Sequence, residues 1–143
     1  MGALKDTAPA LVFLDMSGNE IEGSMAAVAE CIGTKPLLQF LGLDDNEFGD
    51  DGAQELAGAL VVGASKATLS HLSLMTTETH AEGAMAVANA IAGYSALTSL
   101  GFNGNMISEE GLEGLKAAID ANGHTGALVP KEDPWEDNDP DAD

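Results

Sequence analysis

Arginine is absent from this 143-residue chain: its five basic residues are all lysines, set against 24 acidic ones for a formal net charge of -19. With no guanidinium the chain can offer no arginine finger, no bidentate phosphate clamp and no guanine reader of its own. The surplus of negative charge repels phosphate backbones and anionic lipid and favours encounter with a basic protein surface. Cysteine is nearly absent too. Cys31 stands alone, so no internal disulfide can form, and its setting Val28-Ala29-Glu30-Cys31-Ile32 reads as a small hydrophobe on a helix and not as a nucleophile. No apolar run approaches the ~20 residues of a membrane-spanning helix. The opening Met1-Gly2-Ala3-Leu4-Lys5-Asp6 lacks the layout of a signal peptide. These absences predict a soluble, intracellular protein.

What is present is repetition. Leu11-x-x-Leu14-x-Met16-x-x-Asn19-x-Ile21 returns as Leu38-x-x-Leu41-x-Leu43-x-x-Asn46-x-Phe48 and as Leu97-x-x-Leu100-x-Phe102-x-x-Asn105-x-Ile107. A degenerate copy runs Leu69-x-x-Leu72-x-Leu74-x-x-Thr77-x-Thr79. The second leucines are spaced 27, 31 and 28 residues apart, long enough for a strand and a helix in each period. The pattern is the leucine-rich repeat signature. It predicts an α/β fold, a right-handed βα solenoid in which a parallel sheet lines the concave face and helices the convex one. In such a stack each coil buries its apolar face only against its neighbours.

Period-two alternation within each short strand decides which side chains face outward. The outward set is Phe13, Asp15 and Ser17, then Phe40, Gly42 and Asp44, then His71, Ser73 and Met75, then Ser99, Gly101 and Asn103. With Asp45 on the adjoining loop, these are the candidate protein-binding residues. Asn19, Asn46 and Asn105 follow the strands where the chain turns. Each carries a donor and an acceptor on a short arm, so they are expected to satisfy the turn and stack rung on rung, with Thr77 as the third rung. A hydroxyl bonds fewer ways than an amide, which predicts the loosest turn at Thr77.

The second half of each period reads as a helix, with Val28 and Ile32, Leu56 and Leu60, Val87 and Ile91, and Leu115 and Ile119 four apart. Alanines flank this stripe and let neighbouring helices approach. Ser108, followed by Glu109 and Glu110, reads as an N-cap with acids in the first turn. Leu4 followed by Leu11 parallels Leu60 followed by Leu69, so residues 1–129 are expected to form about four repeats beginning mid-repeat, as a piece of a longer horseshoe. Leu4 and Leu14 are then expected to be exposed at an open edge. Leu128 is expected to begin a fifth strand that Pro130 stops. From 130 to 143 the chain holds seven acidic residues against Lys131, with Trp135 its one large apolar group, and is expected to be a disordered acidic tail.

Little chemistry competes with this reading. Asp44-Asp45-Asn46-Glu47-Phe48-Gly49 with Glu55 imitates a calcium loop, but Phe48 falls where a ligand is needed and Asn46 already serves the turn. His71, His80 and His124 share no metal-ligand spacing. The chain has neither a Gly-x-Ser-x-Gly elbow nor a phosphate loop. No metal, cofactor or catalytic residue is assigned, and the chain is expected to be non-enzymatic. The partner is expected to be a protein, with no nucleic acid and no membrane insertion.

Three phrases carry a family likeness: Leu43-Asp44-Asp45-Asn46-Glu47-Phe48-Gly49, Gly83-Ala84-Met85-Ala86-Val87-Ala88 and Leu100-Gly101-Phe102-Asn103-Gly104-Asn105-Met106-Ile107-Ser108. With Gly52 and Gly111 opening helices and the acidic tail after the last repeat, the chain resembles the ribonuclease-inhibitor-like repeats. Among them it is most similar to the C-terminal part of the Ran GTPase-activating protein family. The resemblance implies a regulator that binds the small GTPase Ran through loops and edges of the horseshoe and speeds hydrolysis by ordering Ran's own glutamine. It implies a role in nucleocytoplasmic transport and a cytoplasmic, nuclear-envelope or nuclear location. The family's catalytically important residues lie in earlier repeats, so none is carried over. The alternative is a ribonuclease-inhibitor-like or immune-receptor-like binding module with no GTPase link.

Overall fold

The computed structural model describes residues 10–22, 25–129 and 138. Strands and helices alternate: β1 (Phe13–Asp15), α1 (Ala26–Ile32), β2 (Phe40–Gly42), α2 (Gly49–Val61), β3 (His71–Ser73), α3 (Ala81–Ala90), β4 (Ser99–Gly101) and α4 (Glu109–Ala121). Because a helix returns the chain between strands, successive strands run parallel. They form one sheet in the order β1-β2-β3-β4. Register pairs Leu14 with Leu41, Leu41 with Leu72 and Leu72 with Leu100. A fifth coil begins with a parallel bridge between Leu100 and Leu128. There the Leu100 N–H donates to the Ala127 carbonyl at 2.8 Å, and the Val129 N–H donates to that of Leu100 at 3.0 Å.

The core lies between sheet and helices. It takes the central leucine of each strand, and from the helices Val28, Ile32, Leu56, Leu60, Val87, Leu115 and Ile119. The stripes read from the sequence are therefore the buried faces, with Ile91 buried just beyond the end of α3. Leu14 departs from expectation: at 8% exposure it is buried, as part of the core and paired with Leu41 of the next coil. Leu4 and the proposed mid-repeat start lie outside the described residues, as does the side chain of Cys31. The expected disordered tail does too, apart from Asn138, which is half-buried with its amide donating to the Phe102 carbonyl at 3.2 Å.

Glycine sets how closely the helices stack. A Cβ on Gly52 would lie 2.5 Å from the Phe48 Cβ and 2.9 Å from the Met25 Cγ; one on Gly111 would lie 2.7 Å from the Ala81 Cβ. A Cβ on Gly83 would meet Asp50 Oδ1 at 2.5 Å, because that carboxylate caps the next helix in the stack. Asp50 Oδ1 accepts the His80 N–H at 2.8 Å and the Gly83 N–H at 3.1 Å, placing an anion on the N-terminus of α3. In α4 the cap is local: the Ser108 Oγ accepts the Gly111 N–H at 3.1 Å.

Along one edge the asparagine side chains join coil to coil. Asn46 Oδ1 accepts the N–H groups of Asn19 and Ile21 at 3.2 and 2.9 Å. Its Nδ2 donates to the carbonyls of Met16 and Leu43 at 3.1 and 3.0 Å. Asn105 repeats the pattern, accepting from Thr77 and Thr79 at 2.9 and 3.2 Å and donating to Leu74 and Phe102 at 2.7 and 2.9 Å. The expected stacking of amide on amide is thus replaced by a stronger link, each amide bridging its own turn to the backbone of the coil before. Asn19 is exposed and bonds its own turn at Met16 and Ser17.

Thr77 is not loose. It is fully buried, with its hydroxyl 3.0 Å from the Leu74 carbonyl, 2.8 Å from the Thr79 Oγ1 and 3.1 Å from Asn105 Oδ1. What distinguishes this turn is strain. The residue before each rung is left-handed, at φ 70° for Gly18, 56° for Asp45, 55° for Thr76 and 69° for Gly104. A β-branched threonine tolerates that conformation poorly, whereas the left-handed residue beyond the rung, Glu78 at φ 58°, has its counterpart in Glu20 at φ 54°.

A second buried polar row runs along the opposite edge, through Lys35, Ser65, Tyr94 and His124. The Tyr94 hydroxyl donates to the Leu60 carbonyl at 2.7 Å, and His124 Nε2 lies 2.7 Å from the Ile91 carbonyl. A carbonyl can only accept, so Nε2 carries the proton. Tyr94 and His124 thus add a side-chain partner to carbonyls at the end of the preceding coil's helix that already accept a backbone N–H, from Gly63 at Leu60 and from Tyr94 at Ile91.

Candidate protein-binding face

Three rows of side chains cross the sheet at right angles to the strands. The first is Phe13, Phe40, His71 and Ser99, brought into line by the register. Phe13 is 59% exposed and stacks on Phe40 with ring centroids 4.3 Å apart and planes 9° from parallel. Phe40 in turn meets the His71 ring at 5.9 Å and 33°. His71 is exposed, its Nδ1 2.7 Å from the Ser70 Oγ. Offset and stacked aromatic pairs of this kind form a rigid apolar strip.

The second row is Asp15, Gly42, Ser73 and Gly101. Asp15 is exposed, and its Oδ1 accepts the Ser17 N–H at 3.0 Å. Hydrogen bonds from the Ser17 side chain and then its backbone hold the Asp15 carboxyl below the usual range, outweighing the small opposing effect of burial. Gly42 and Gly101 are buried and offer a partner no contact of their own. A Cβ on Gly42 would lie 2.9 Å from Asp15 Oδ1, and one on Gly101 would lie 2.5 Å from the Met75 Cε, so both are overlain by neighbours.

The third row is Ser17, Asp44, Met75 and Asn103, all half-buried. Asp44 Oδ1 accepts the Ser73 hydroxyl at 2.6 Å and the Met75 N–H at 2.8 Å, tying one coil's carboxylate to the next strand. The Ser17 Oγ accepts the Asp44 N–H at 3.1 Å. Asp45 lies off the sheet on the rim, where it lines a shallow hollow of about 220 Å³ with Asn46, Glu47, Thr76 and Glu78.

The structure therefore brings ten of the thirteen candidate residues onto one surface, buries Gly42 and Gly101 beneath it and places Asp45 beside it. The members of the imagined calcium loop are dispersed: Asn46 bridges coils, Phe48 is in the core and Asp44 bonds the next strand. Among the described residues, no group of three or more His, Cys, Asp and Glu is placed to hold a metal ion, and no helix is long and apolar enough to cross a membrane. The aromatic stack and the pinning of Asp15 and Asp44 escaped the sequence reading. The signal lay in the shared offset of Phe13, Phe40 and His71 from the first leucine of each copy.

A leucine-rich repeat family model matches residues 34–57, the second copy together with the first turns of α2. The match and the stacked coils agree on the fold, a leucine-rich repeat βα solenoid. Its repeats are 35% identical over 77 residues to RAN GTPase-activating protein 2 of Arabidopsis thaliana, a stretch covering 53% of this chain and 14% of that relative. The chain thus spans a small part of the curated relative it matches. Among solved structures, actin-binding site 2 of leiomodin-1 superposes with a TM-score of 0.71 over 89% of this chain and 73% of that one. At 16% identity that likeness carries the fold alone.

Proposed function

We propose that these repeats are a protein-binding segment of a Ran-type GTPase activator, engaging the small GTPase through the concave face and its rim. The observation that carries the reading is the 35% identity to a RAN GTPase-activating protein, extending over half the chain. A sheet face that presents fixed carboxylates and a rigid aromatic strip, on a molecule of net charge -19, supports a basic protein partner. The chain acts as regulator and not as catalyst, contributing contacts while the GTPase supplies its own reacting groups. Nucleocytoplasmic transport and a place in the cytoplasm, at the nuclear envelope or in the nucleus belong to the same proposal.

The test is to measure binding of the chain to Ran loaded with GTP and with GDP, alongside single-turnover phosphate release. The expected outcome is binding that favours the GTP form and weakens as ionic strength rises, with little acceleration by this segment alone. Absence of binding at low ionic strength overturns the GTPase reading and leaves a binding module for another protein.

A further inference from the structure

The concave face holds a combination that plain electrostatics does not require. Among the described residues Phe13 ends the aromatic strip: it stacks on Phe40 and is 59% exposed. Asp15 follows two residues later on the same face of the same strand, about 7 Å along. Its carboxylate is fixed by Ser17, so ordering it on binding costs little. Asp44, one strand over, is fixed by Ser73 and Met75. An apolar ring with an open face and an immobilised carboxylate one step along the strand, with Asp44 a further step away, match a planar cation. They match an ammonium less well, since it is strongly hydrated and cannot lie flat on a ring.

We propose that Phe13 and Asp15 form an arginine-reading site, in which a guanidinium from a basic segment of the partner protein stacks on the open face of Phe13 and pairs with Asp15. The proposal rests on the concave face being the binding surface and adds which side chain it selects. Charge decides against the other occupants. A second copy brings another -19 to a surface already negative, and a nucleic acid brings phosphates.

The experiment titrates the chain with two short peptides of equal charge, one alternating arginine with serine and the other lysine with serine, at several salt concentrations. The arginine peptide is expected to bind about fivefold more tightly, the increment of one exposed guanidinium stacked on an aromatic ring. Phe13→Leu keeps apolar bulk but removes the ring's electron-rich face, and should abolish that preference while leaving the salt-dependent affinity for both peptides. Asp15→Asn should weaken both. Phe13 is largely exposed, so the fold is expected to survive, and unchanged circular dichroism verifies it. Equal affinity for the two peptides, a preference that survives Phe13→Leu, or no binding of either peptide overturns the proposal. Binding of Ran·GTP to the wild-type chain is measured in parallel. If Ran·GTP binds while the peptides are not distinguished, the arginine site fails and the GTPase reading stands; if the peptides are distinguished and Ran·GTP does not bind, the reverse holds.

Discussion

Tyr94 shows how much one hydroxyl can carry. It is fully buried, and its proton serves a carbonyl on the preceding coil; Tyr94→Phe removes that bond while the Gly63 N–H stays on the Leu60 oxygen, and should cost about 1 kcal/mol in denaturant unfolding. Burial raises the phenol's pKa, although the Ser65 hydroxyl pulls it the other way. A raised folded value means that the stabilisation is complete below the free phenol's 10.0 and is lost as pH climbs through the folded value. The wild type should therefore lose stability on the alkaline side more steeply than Tyr94→Phe. Asp15 behaves oppositely. Its folded pKa lies below 3.8, so its contribution is present above that pH and disappears as acid takes the pH down through the lowered folded value. Asp15→Asn should remove that acid-side loss, a small one because the group is in solvent. Thr76 offers the converse case, a residue the fold tolerates against preference. Thr76→Gly should raise the unfolding free energy by about 1 kcal/mol, since glycine accepts φ 55° without a steric penalty.

At the scale of elements, the joints between coils set the behaviour. Asn105→Ala leaves the Thr77 and Thr79 N–H groups without their partner, while the Leu74 and Phe102 carbonyls keep the Thr77 hydroxyl and the Asn138 amide; the cost is about 1–3 kcal/mol for each N–H that water cannot reach. Asn19→Ala should be nearly silent by comparison, because that amide is exposed. Denaturant midpoints of the two variants test the ranking. Gly83→Ala drives a methyl group into the Asp50 carboxylate that caps α3 and should destabilise by about 1–3 kcal/mol, although alanine is the better helix former. This contrast also shows what the sequence could and could not convey. Strand positions, buried stripes and the Ser108 cap were legible because each is a local pattern that the backbone period converts directly into a face. The Asp50 cap and the row through Tyr94 and His124 were not, because each joins groups about 30 residues apart and neither partner carries a local signature. Thr77 misled for the same reason: its bonds to Thr79 and Asn105 become visible only once coils are stacked.

Over the whole molecule, stability accumulates joint by joint and not around a single centre. The concave face is the surface where three rows of side chains keep fixed positions because each strand is locked to the next. That rigidity suits a partner-binding role and makes the face readable by a partner without rearrangement. The candidate face itself was legible from alternation alone; its aromatic stack, its pinned carboxylates and the two covered glycines depend on side-chain geometry that periodicity does not encode. The most direct measurement is an NMR titration of isotope-labelled chain with Ran·GTP, following each backbone amide. The account predicts that the shifts concentrate at Phe13, Asp15, Phe40, Asp44 and His71 and spare the outer surfaces of α2, α3 and α4. Shifts confined to those helices, or no shifts at all, would contradict it.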